Sequence, residues 1–98
     1  MVIITGSVRA LPGNVERVRE LSLEHVHRSR LEAGCLLHSV HQDLEDPQRF
    51  VFIEQWRDAD AVRAHFAVPA SVQFVRDLRG LSDGATEIAI YETTPLDL

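Results

Sequence analysis

The sequence predicts an α+β domain, a four-stranded antiparallel sheet with its helices packed on one face. Three observations carry that expectation. Residues 2–11 and 86–93 alternate and are rich in β-branched side chains, the mark of half-buried strands. Residues 35–43 and 49–57 are two further apolar runs joined by a short turn, so they should pair as an antiparallel hairpin. Helix-period stretches at 15–31 and 59–81 separate these strands. The order is β-α-β-β-α-β, which right-handed crossovers turn into a ferredoxin-like split βαβ unit.

Each element has a local cause. The first strand places Val2, Ile4, Gly6, Val8 and Ala10 on one face, and Pro12-Gly13 ends it, with Asn14 as the expected N-cap of the first helix. That helix carries a stripe of Val15, Val18, Ser22, Val26 and Ser29, with Leu21 and His25 beside it. Arg17, Glu20, Glu24 and Arg28 fall on the opposite, solvent-facing side, spaced to pair with one another. Gly34 punctuates the helix end, and Asp46-Pro47 centres the turn between the second and third strands. Asp58 is the natural N-cap of a helix over 59–67. Pro69 interrupts it, and 70–81 continue helically with Ser71, Phe74, Val75 and Leu78 along one side.

Composition bounds the function. The chain has 98 residues, enough for one domain over 1–98, and a net charge of −5. That balance argues against nucleic acid or an anionic membrane surface as partner. No apolar run nears the length of a membrane span, and the first ten residues lack the pattern of a secretory leader. A lone Cys35 cannot form an internal disulfide, so a cytoplasmic setting is expected.

Two helices cover only one side of such a sheet. In the third strand Phe50 and Phe52 oppose Val51 and Ile53. In the last, Ile88 and Ile90 oppose Ala89 and Tyr91, and in the second, Leu36 and Val40 oppose Leu37. Both faces are thus apolar, and a second copy packed sheet against sheet is the expected cover, giving a homodimer.

The residues with chemical potential are few. No metal is expected. His25 and His27 are two apart on a helix and point apart, His38 and His41 are three apart on a strand, and no H-x-x-x-H or C-x-x-C spacing exists. Cys35 has no base nearby in sequence. "VFIEQWRDADAVRAHF", residues 51–66, is the informative stretch. It places the only Trp, Trp56, at a strand end and His65 on the helix that follows. If that helix folds back, indole and imidazole can meet and serve a flat aromatic ligand, though plain packing would place them the same way. The serines that interrupt the first helix's stripe either bond back to helix carbonyls or line a cavity.

"ITGSVRALPGN" and "RLEAGCLLHSVHQDLEDPQRFVFIEQWRDADAVRAHFAVPASVQF" together resemble the antibiotic biosynthesis monooxygenase domain, over almost the whole chain. The shared features are a strand ending in P-G, a Gly-Cys before strand two, a D-x-x-x-P turn, an E-x-W strand end and an A-H-x-x-x-P helix segment. The resemblance implies a dimeric α/β barrel with a pocket between sheet and helices in each subunit. Family activities include cofactor-independent oxidation of polycyclic phenols, haem degradation, quinol oxidation and isomerisation of a phosphorylated sugar. Trp56 matches the family Trp and His65 the helix His. Gly6 stands near the strand-one Asn of the oxygenase and haem-degrading members, which counts against haem, and His38 stands where many members carry Tyr.

The resulting expectation is an enzyme that oxidises a small phenolic, polyketide-like or quinol-like aromatic with O2 and no cofactor. His65 and Trp56 would be catalytic. The pocket would be lined by Gly6, Ser22, His25 and Ser29, with His38, Phe52, Phe66 and Phe74 completing it. The alternative is a non-catalytic dimer that binds a small aromatic. An isomerase of a polar substrate would need a cationic pocket, for which Arg9 and Arg57 are the available positions.

Overall fold

The computed structural model describes residues 1–84 and 86–98. The order is β1 (Val2–Arg9), α1 (Val15–Ser29), β2 (Cys35–Gln42), β3 (Arg49–Trp56), α2 (Ala59–Ala67), α3 (Pro69–Leu81) and β4 (Glu87–Glu92). All strand pairs are antiparallel, in the order β2-β3-β1-β4. The predicted α+β, ferredoxin-like architecture is therefore the observed one.

Register decides which side chains meet the helices. Val2 opposes Trp56, Ile4 opposes Glu54, Gly6 opposes Phe52 and Val8 opposes Phe50. This inner row packs under the helices as two apolar clusters. Val8, Ala10, Val18, Val26, Phe50, Phe52, Phe74 and Leu78 form one, under α1 and α3. Val2, Ile4, Trp56, Ala61 and Val62 form the other, under α2.

Three local expectations need correction. Asn14 makes no side-chain cap; its Nδ2 donates to the Leu81 carbonyl at 3.3 Å instead, tying the start of α1 to the end of α3. Arg28 does not join a solvent-face ion pair but lies 2.9 Å from His25 Nδ1. In β2 a bulge between Cys35 and Leu37 shifts the register, so Leu36 and Leu37 are both exposed and His38, paired with Glu54, takes the inner position. Asp58 does cap α2: its Oδ1 accepts from Ala61 N at 2.8 Å.

The outer sheet face carries no helix. Leu37, Ile53 and Tyr91 are 38%, 37% and 53% exposed on it. Ile88 and Ile90 are also exposed, for a different reason: β4 is the edge strand and its inner side reaches beyond the helices. Among the described residues no helix is long and apolar enough to cross a membrane.

Candidate functional site

A cavity of about 460 Å³ lies between the inner sheet face and α2–α3, within the usual range for small-molecule sites. Gly6 and Phe52 form its floor, His25, Phe66 and Phe74 line its walls, and His65 and Glu54 sit at one end. Gly6 puts no side chain into the floor; a Cβ there would make an ordinary 3.4 Å contact with the Glu87 carbonyl oxygen.

Six of the expected pocket and catalytic residues therefore line the cavity: Gly6, His25, Phe52, His65, Phe66 and Phe74. Four do not. Trp56 is fully buried behind His65, with the two rings 4.5 Å apart, and its Nε1–H donates to Glu54 Oε1 at 2.8 Å. The indole thus has neither a free face nor a free donor for a ligand. Ser29 donates back to the His25 carbonyl at 2.7 Å, the helix-internal bond considered from sequence. Ser22 borders a separate small hollow of about 80 Å³, and His38 is buried below the wall.

Two carboxylates give the site its polarity: Glu54, flagged in the sequence only by the E-x-W spacing, and Glu32, which no pattern marks. Glu32, in the turn after α1, accepts from His65 Nδ1 at 2.8 Å. That bond holds the ring and leaves Nε2 with the lone pair of the neutral imidazole. Glu54, on β3, is buried, with Oε1 lying 3.3 Å from His38 Nε2 and 3.8 Å from His65 Nε2. Burial pushes its pKa up, but the His38 contact, the Trp56 N–H and attraction to the His65 ring outweigh it. The net pKa lies below the ordinary carboxylate range, so Glu54 is ionised at neutral pH. The E-x-W spacing quoted above was the available signal, because i and i+2 share a strand face.

His25 stacks on Phe74 with ring centres 4.0 Å apart. Burial first, then repulsion from the His38 and His65 rings in their cationic form and from Arg28, lowers its pKa to about 3, so it is neutral. His25, His38 and His65 come from α1, β2 and α2 and form a nearly equilateral triangle, with ring centres 5.2, 5.4 and 5.5 Å apart. Sequence spacing did separate His25 from exposed His27, and His38 from exposed His41. It had no means of bringing three buried histidines together across the fold.

At the mouth, Arg76 and Arg79 line the cavity, one turn apart on α3. Arg9 is committed to Asp46, Asp83 and Gln48, and Arg57 to Asp58, so neither of the cationic positions expected from sequence serves the pocket.

A helix-covered apolar cavity, with a carboxylate-held imidazole at its end, makes this α+β domain's pocket a candidate small-molecule site. The sequence pattern of the antibiotic biosynthesis monooxygenase family matches residues 1–77, and the chain belongs to that family. A candidate antibiotic biosynthesis monooxygenase from Deinococcus radiodurans is 30% identical over 100% of this chain and 97% of its own, with a TM-score of 0.94. PA3566 from Pseudomonas aeruginosa is 31% identical over 96% and 94% of the two chains, with a TM-score of 0.86. The Synechocystis protein sll1783 is 31% identical over 93% of this chain, which spans 62% of that relative's length.

Proposed function

We propose that this protein oxidises a small phenolic or quinol-like aromatic with O2, the ring itself supplying the electrons. The observation that carries this is the Glu32–His65 pair at the end of an apolar cavity. A phenol O–H placed against His65 Nε2 loses its proton there, and the resulting cation lies between two carboxylates, Glu32 and Glu54. The phenolate then reduces O2. In the monooxygenase form, one oxygen atom enters the ring carbon para to the hydroxyl and the other leaves as water. The phenol ring loses two hydrogens and gives up four electrons, yielding the quinone; a quinol gives up only two electrons and two protons, and O2 leaves as hydrogen peroxide. No external reductant is required. Trp56, expected to touch substrate, acts in this reading through Glu54 and the His65 ring face.

The test is aerobic incubation with a panel of anthrols, naphthols and hydroquinones, reading quinone absorbance and O2 uptake. Quinone formation that falls by about 100-fold or more in His65→Ala, a loss within the range for a general base from its lower end upward, supports the reading. Turnover nowhere on the panel, or turnover indifferent to His65, overturns it. Gly6, in place of the family's strand-one Asn, favours a second reading, a module that binds an aromatic without turnover. Thermal stabilisation by ligands that are never converted would identify it. Both readings place the protein in the cytoplasm as a homodimer, consistent with the free thiol of Cys35 and the bare outer face of the sheet.

A further inference from the structure

The geometry points to a divalent transition-metal site formed by His25, His38 and His65, with the Glu54 carboxylate beside two of them, a binding function separate from aromatic oxidation. One nitrogen from each of the three histidines lies within 4.8 Å of the other two, all three side chains are buried, and they come from three different elements. Three imidazoles on a tetrahedral ion, each nitrogen about 2.0–2.1 Å away, place their ring centres roughly 5 Å apart. The observed 5.2, 5.4 and 5.5 Å already meet that spacing, although the nitrogens must still draw in by about 1 Å.

The donor chemistry agrees. His38 Nδ1 has no hydrogen-bond partner although the ring is almost fully buried, and Nε2 has only the 3.3 Å contact with Glu54 Oε1, which is costly for a residue kept only for packing. Glu54 Oε1 lies beside His38 Nε2 and His65 Nε2 and supplies an anionic oxygen. Glu32, bound to His65 Nδ1, is the outer carboxylate that orients a ligating imidazole. Three neutral nitrogens and one carboxylate suit zinc and its first-row neighbours rather than calcium or magnesium. Because His25, His65 and Glu54 also line the cavity, the ion would face it. Arg28 opposes loading. Its Nη2 can only donate, so the 2.9 Å contact holds the lone pair of His25 Nδ1 and keeps the ring proton on Nε2. Ligation through Nε2 requires that guanidinium to turn away. An ion on His65 Nε2 also removes the base proposed above, so metal and phenol proton compete for one nitrogen.

Chelator-treated full-length protein titrated with Co2+, without any aromatic substrate, tests the site independently of the oxidation. The expected result is one Co2+ per chain with the intense visible bands of a four-coordinate ion, displaced by equimolar Zn2+. His38→Ala should weaken binding by more than about 100-fold, and Glu32→Gln by about 10–100-fold. Removing exposed His27 and His41 together should leave it unchanged. If His38→Ala fails to fold by circular dichroism, Glu32→Gln decides. A weak six-coordinate spectrum in the wild type, binding untouched by the deciding variant, or binding lost with His27 and His41 would overturn the proposal.

Discussion

Glu54 shows how much one buried carboxylate organises. It receives the Trp56 N–H, faces His38 and His65, and separates the two apolar clusters of the core. Trp56→Phe keeps most of the apolar volume but removes the donor. Urea unfolding should therefore show a loss of about 1–3 kcal/mol, the cost of leaving a buried acceptor unpaired. His25 makes stability depend on pH. The folded ring stays neutral down to about pH 3, whereas in the unfolded chain it takes a proton near the ordinary histidine value of 6.5. Between those values the unfolded state binds more protons, so stability falls as the pH drops through that window, by up to about 1.4 kcal/mol per pH unit. Unfolding midpoints measured from pH 7 to pH 4 should show this decline, and His25→Gln should flatten it.

At the scale of elements, the joints matter more than the spans. Helix and strand spans followed from periodicity to within a residue or two, because burial on one face imposes the period. The local departures have tertiary causes: Asn14 is spent on Leu81, and the bulge before Leu37 turns Leu36 out of the Val40 row. Gly34 was legible as punctuation, but its constraint is sharper than a helix end. Its φ is +82°, and a Cβ there would come within 2.6 Å of Ala61 Cβ on α2. Gly34→Ala should cost at least about 1 kcal/mol from the left-handed backbone alone, with the clash added. Asp58→Ala should cost about 1 kcal/mol by removing the cap from Ala61 N. Thermal melts of the two variants, read against the wild type, check both values.

For the molecule as a whole, the open question is what covers the far side of the sheet. Leu37, Ile53 and Tyr91 share that face with no helix over them. Stable burial of such a face calls for a second apolar surface, and an identical one meets that need through a two-fold axis. Light scattering should give twice the 11.0 kDa chain mass. Ile53→Asp, which leaves the helix-covered core untouched, should halve it. A wild-type mass of one chain would refute the pairing.

The sequence by itself determined the order of the elements and the inner and outer rows of β1, β3 and β4, which follow from side-chain periodicity along a single element, while the resemblance supplied the expectation of a cavity lined by Phe52, Phe66 and Phe74. Only the tertiary structure placed Trp56 behind the wall and not in it, attached Glu32 to His65, and gathered His25, His38 and His65 around Glu54. The physical reason is distance along the chain. Periodicity says which way a side chain faces, whereas a polar cluster depends on which faces converge when α1, β2, β3 and α2 pack, and no local pattern encodes that meeting.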